Sequence, residues 1–192
     1  MTSLILGLIV FLGMHSVRIF AEDWRGRQIA RLGAGGWKGA YSLVSAVGLG
    51  LIVYGYGMAR AEPVQLWLPP AWTHLFAGVL MLPAMILIVA AYVPANHIRS
   101  ALGHPMLAGV KIWAFAHLLA NGTLGDLLLF GGFLAWAVLD FRAARRRDRV
   151  AAVAGAPATA LGSVLAAVVG VAAWALFTFY LHGALIGVPL RS

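Results

Sequence analysis

The sequence predicts an all-α fold, a polytopic transmembrane bundle of about six helices with both termini periplasmic. Three observations predict it. The 192 residues are 62% hydrophobic and only 10% charged, where a soluble domain carries about a quarter charged residues. The mean hydropathy is +0.90. The apolar residues gather in runs near the ~20 residues that a helix needs to cross the bilayer core, and the cationic residues cluster in the connections at one end of those runs, the pattern that orients a membrane protein.

The spans are expected near Thr2–Phe20, Trp37–Met58, Ala71–Val93, His104–Ala120, Leu124–Phe141 and Ala160–Leu181. Met1–Phe20 lacks a basic leader and a small-residue cleavage site, so it reads as a retained first helix. The second segment carries Gly48, Gly50, Gly55 and Gly57, small residues that let helices approach closely in lipid. Pro83 should kink the third segment, because proline lacks the amide hydrogen. Asn121-Gly122 reads as a tight turn between the fourth and fifth, with Gly122 at positive φ. Residues 142–159 begin with a run of arginines and end in Ala, Gly and Pro, which reads as a flexible cytoplasmic loop. Trp37, Trp67 and Trp72 sit near segment ends, where interfacial aromatic anchors lie. No polar stretch is long enough for a second domain, so residues 1–192 are expected to form one transmembrane domain.

Charge gives the orientation. Arg25, Arg27, Arg31 and Lys38 follow the first segment, Arg99 lies between the third and fourth, and Arg142, Arg145, Arg146, Arg147 and Arg149 follow the fifth. These connections fall on one side, which the positive-inside rule assigns to the cytoplasm. The opposite side has Arg60 and Arg191. The expected location is the bacterial inner membrane and the expected partner the lipid bilayer. The net charge of +8 and the pI near 10.9 do not point to nucleic acid, because no aromatic residues interleave the basic cluster. The chain has no cysteine, which excludes disulfides, Fe–S clusters, thiolate ligands and thiol catalysis.

The candidate site follows from the cost of ionisable groups at membrane depth, where by default they are functional. The run from His104 to Gly122 places His104, Lys111 and His117 in an apolar segment, and His15 lies in the first segment. Two neutral imidazoles from different helices are what a haem iron or another transition metal needs. Asn121, one turn past His117, is a candidate to orient that imidazole. His104 precedes Pro105 and is expected to cap the helix near the cytoplasmic boundary. Lys111 needs an anion or a path to the interface, and Asp126 and Asp140 are candidate partners. His74 opens the third segment, while His97 and His182 lie at segment ends. At 1.5 Å rise per residue, His15 and His117 differ in depth by roughly 6 to 11 Å for untilted helices, whereas His74 and His117 fall at similar depth. Geometry from the sequence leaves both pairings, His15 with His117 and His74 with His117, open.

Gly13-Met14-His15-Ser16, Asn96-His97-Ile98-Arg99, His104-Pro105-Met106-Leu107, Trp113-Ala-Phe-Ala-His117-Leu-Leu-Ala-Asn121-Gly122 and the ending from His182 to Pro189 together resemble the NnrU family over essentially the whole chain. The resemblance implies an integral membrane protein that supports denitrification, in the expression or maturation of nitrite and nitric oxide reductases. The same motifs are similar to those of the plant cis-ζ-carotene isomerases, haem b enzymes related to NnrU. Their two implicated haem histidines match His15 and His117, so the resemblance implies haem b with these two as its iron ligands. The isomerases have a cysteine where this chain has Ala114, so a switch between imidazole and thiolate ligation is not available here. Gly103 stands where a basic residue would be expected before His-Pro. The His-Pro turn also resembles that of isoprenylcysteine-type methyltransferases, but no paired acidic and basic motif follows the fifth segment to complete such a site. Three functions are therefore carried forward: a haem b protein of denitrification, a haem-dependent isomerase of a lipophilic polyene, and a cofactor-free scaffold for reductase assembly. No catalytic residue is assigned.

Overall fold

A computed structural model describes residues 1–151 and 158–187, and it is all-helical. In chain order the helices are α1 (Thr2–Phe20), α2 (Glu22–Ala61), α3 (Trp72–Ala90), α4 (His97–Leu102), α5 (Pro105–Ala120), α6 (Leu124–Val150) and α7 (Ala160–Leu176). A π-helical turn, Phe177–Leu181, then leads into α8 (His182–Ile186). Among the described residues, five helical stretches are long and apolar enough to cross a membrane. The fourth expected span is present as the shorter α5, of 16 residues, bounded by the His104-Pro105 start and the Asn121-Gly122 stop. Leu43, Val53, Leu75, Val79, Leu161 and Val168 are each more than half exposed. So much exposed aliphatic surface on helices suits lipid rather than water.

Two expected loops are helical instead. α2 begins at Glu22, not Trp37. Glu22 and Asp23 occupy its first turn, where acidic side chains complement the helix dipole, and Glu22 accepts a hydrogen bond from Arg25 at 2.8 Å. The break comes at Gly33, whose φ of 72° and ψ of 163° interrupt the helix, a conformation that glycine adopts at little cost. Residues 142–150, expected to be part of a flexible loop, continue α6 to Val150. Alanine and arginine are strong helix formers, and arginines suit the carbonyl end of the dipole. The remainder of that expected loop falls partly on residues 152–157, outside the described residues, as do Val188, Pro189 and Arg191. Pro83 lies inside the uninterrupted α3.

The chain divides into two compact units. The first comprises Met1–Pro69 and Asn121–Asp140, and its centre is the α1–α2 pair. Gly48 and Gly55, two turns apart, face α1, while Gly7 of α1 faces α2. A Cβ on Gly48 would lie 2.8 Å from the Phe11 nitrogen, one on Gly7 2.6 Å from the Ile52 nitrogen, and one on Gly55 would strike the Leu4 backbone. Gly50 and Gly57, by contrast, meet nothing within 4 Å, so only half of the glycines expected to line a helix contact do so.

α6 enters the first unit through Thr123 and Asp126. Asp126 is 4% exposed; it accepts hydrogen bonds from Thr123 N (3.0 Å), Thr123 Oγ1 (2.6 Å) and Tyr56 Oη (2.6 Å). Its own amide donates to Thr123 Oγ1 at 3.2 Å, a reciprocal cap of the helix start. Gly122 does not take the positive φ expected of it. Its missing side chain instead makes room for the Trp67 carbonyl, and its own carbonyl accepts from the amides of Leu66 and Trp67 at 2.8 and 3.1 Å.

The second unit comprises Pro70–Ala120 and Phe141–Ser192. Ala77 and Leu80 of α3 pack on Ala116 and Ala120 of α5. Gly170 of α7 abuts Ile86 of α3, and Trp174 Nε1 donates to the Gly78 carbonyl at 3.0 Å. Asn96 is 1% exposed and fully employed. Its Nδ2 donates to the carbonyls of Ala90 (2.9 Å) and Val93 (2.6 Å), and its Oδ1 accepts from the Arg99 amide (2.7 Å). Asn96 thus ends α3 and caps α4 at once, which accounts for its place in the Asn96–Arg99 motif.

Candidate functional site

In the first unit, α1 presents His15 to a wall of rings. Its imidazole stacks on Phe11 one turn earlier, with centroids 4.1 Å apart and planes inclined by 25°. Tyr41 of α2 lies at 5.2 Å and Trp136 of α6 stands edge-on at 5.8 Å. Phe133, one turn before Trp136, reaches both Phe11 (5.7 Å) and Trp136 (6.5 Å). His15 Nδ1 lies 2.7 Å from the Phe11 carbonyl oxygen. A carbonyl only accepts, so Nδ1 carries the proton, and in the neutral ring the lone pair is on Nε2.

His117 on α5, in the second unit, repeats this device. Its Nδ1 donates to the Trp113 carbonyl at 2.8 Å, and the Trp113 ring lies 5.4 Å from the imidazole. Each histidine is therefore tied to the backbone of its own helix four residues earlier, in the tautomer that offers Nε2 to a metal. Such a bond on the other ring nitrogen is what orients a ligating imidazole. Asn121, expected to fill that role for His117, opens the second segment of the first unit, and the carbonyl of Trp113 fixes the tautomer instead.

The other candidates are distributed as follows. His74 is exposed on α3, whereas its neighbour Thr73 is buried. His97 is exposed, and its amide donates to Ser163 Oγ at 3.0 Å. His104 Nε2 lies 2.9 Å from Asp148 Oδ2 on the α6 extension, with both side chains 31% exposed. The preceding Gly103, at φ 72°, turns the chain out of α4. Lys111 Nζ sits 3.7 Å above the centroid of the Phe141 ring, a cation–π contact. Asp126, considered as its carboxylate partner, is engaged within the first unit by Tyr56 and Thr123.

The donor set narrows the chemistry. Among the described residues, no group of three or more His, Cys, Asp or Glu is placed to hold a metal ion. A bare zinc or non-haem iron needs about three or four protein ligands. An iron already held by four porphyrin nitrogens needs only one or two axial imidazoles, which fits histidines held as His15 and His117 are. One further observation agrees. The Nε1 atom of Trp136 is buried without a hydrogen-bond partner among the described residues, and leaving such a donor unsatisfied costs about 1–3 kcal/mol. Sequence reasoning missed Tyr41 and Trp136. Only the i, i+3 spacing of Phe133 and Trp136 marked an aromatic face on α6, and nothing local to either residue linked it to His15.

No curated protein and no solved structure matches the chain. A family model described as NnrU protein matches residues 3–190. With all but the ends of the chain matched, this protein belongs to the NnrU family.

Proposed function

We propose that this protein binds haem b through intramembrane histidines, with His15 and His117 as iron ligands, and that it supports denitrification in the bacterial inner membrane. The observation that carries the ligand assignment is the shared carbonyl bond, Nδ1–H to the backbone four residues earlier, which leaves the Nε2 lone pair of each ring for iron. Bound haem would supply a redox-active iron. The protein's own residues hold the imidazoles in one tautomer and surround His15 with rings that exclude water. The denitrification role is the one that the resemblance implies, with the nitrite and nitric oxide reductase system as its beneficiary. A lipophilic polyene is the substrate of the alternative, an isomerase, and a carotenoid-producing host lacking its isomerase tests for that activity.

The deciding experiment is a reduced-minus-oxidised optical spectrum of detergent-purified protein from haem-replete cells. It is recorded beside His15→Ala and His117→Ala. A Soret and an α-band in the parent, lost or shifted in each variant, is the expected result. A flat parent spectrum overturns the haem reading and leaves the cofactor-free scaffold.

A further inference from the structure

We propose that the indole N–H of Trp136 is the hydrogen-bond donor to a carboxylate of the haem held at His15. This inference rests on the haem reading above. Tryptophan has one polar atom and can only donate. Here that atom is enclosed by protein and meets no acceptor among the described residues, although its ring borders the candidate ligand directly, 5.8 Å from the imidazole and at 89° to it. The acceptor nearest to hand in kind, the backbone carbonyl of Phe11, is already taken by His15 Nδ1.

The surroundings specify what is missing. Phe11, Tyr41 and Phe133 give the site flat apolar walls, suited to a planar conjugated macrocycle. The pocket lacks an acceptor oxygen, and the only hydrogen-bonding groups at the rim of a haem b macrocycle are its two propionate carboxylates. Position along the helix agrees with an amphipathic ligand. Arg18 follows His15 by three residues, so the imidazole lies toward the cationic end of α1, the end at which the acidic edge of a haem is best accommodated. Asp140, one turn beyond Trp136 on α6, opposes a carboxylate there. The effect of the N–H is therefore set at the lower end of the range for hydrogen bonds to charged groups, about tenfold in affinity.

The test uses the full-length apoprotein, titrated with haem b and with its dimethyl ester, in which the carboxylates are neutral. The wild type is expected to bind haem b about tenfold more tightly than Trp136→Phe does. The ester is expected to bind both proteins alike, and the midpoint potential of the haem-loaded variant should move from the wild-type value. Equal haem affinity and equal potential in the two proteins overturn the inference while leaving the haem reading intact. So does an equal loss for haem and ester in the variant, which marks a packing role only. A wild type that binds haem b no more tightly than its ester overturns it without recourse to any variant. A wild type that binds neither overturns the haem reading itself, and this inference with it.

Discussion

Polar side chains in this protein differ less in type than in how completely the fold satisfies them. Asp126 and Asp148 illustrate the range. Asp126 is nearly inaccessible and accepts three hydrogen bonds, one of them from Tyr56, 70 residues distant in sequence. Removing the Tyr56 hydroxyl strips a donor from a buried carboxylate, so Tyr56→Phe is expected to cost about 1–3 kcal/mol, seen as a lower midpoint of thermal unfolding in detergent. Asp148 pairs with His104 where both side chains are about one-third exposed. Solvent screens that pair, so Asp148→Asn is expected to cost less than about 1 kcal/mol. An Asp148→Asn cost equal to or above that of Tyr56→Phe would show that burial does not set the ranking. The same comparison separates the histidines, for His15 and His117 are held by their own backbone while His104 spends its Nε2 on a carboxylate. Of the three, only the first two keep that nitrogen's lone pair in the neutral ring without a protein carboxylate as its partner.

Helix identity followed from apolar run length, and α1, α3 and the start of α6 lie within a residue or a few of their expected bounds. The failures share a cause. The run-length rule registers where lipid-compatible residues stop, but not where the helix stops. The helix ends at a backbone break such as Gly33, so arginine-bearing segments on either side of the membrane core were read as loops. Glycines were legible as packing residues, but not by face: Gly48 and Gly55 meet α1 while Gly50 and Gly57 meet nothing, and choosing between those faces requires the partner helix. Gly55→Leu should therefore push α1 and α2 apart, with an overpacking cost of about 1–3 kcal/mol or more. Gly57→Leu should be neutral or slightly stabilising through helix propensity. Unfolding midpoints of the two variants check this, and equal destabilisation would count against the packed seam. The candidate site was half legible for a related reason. Histidines in apolar runs stand out, whereas Trp136 and Tyr41 are ordinary aromatic residues until the fold brings them to His15.

At the scale of the whole molecule, the arrangement of charge can be converted into an orientation by experiment, and the composition makes that experiment clean. With no native cysteine in the chain, any thiol introduced is the only one. Two positions suffice. Leu68, in the connection between α2 and α3, is 83% exposed, and it lies on the side that the charge distribution assigns to the periplasm. Arg146, in the helical extension of α6, lies in the densest cationic run, Arg142–Arg149, assigned to the cytoplasm. In intact spheroplasts a membrane-impermeant maleimide should label Leu68→Cys at once. It should label Arg146→Cys only after the membrane is permeabilised. The extension being helical strengthens the reasoning, because five arginines on a rigid helical stem (Arg142, Arg145, Arg146, Arg147 and Arg149) cannot fold back across the bilayer as a flexible loop could. They stay at the leaflet where α6 leaves the hydrocarbon, and translocating such a segment against the membrane potential costs about 2.3 kcal/mol per charge for each 100 mV. The reverse labelling pattern would invert the whole molecule, moving His104, Asp148 and the Arg18 end of the His15 site to the periplasmic face.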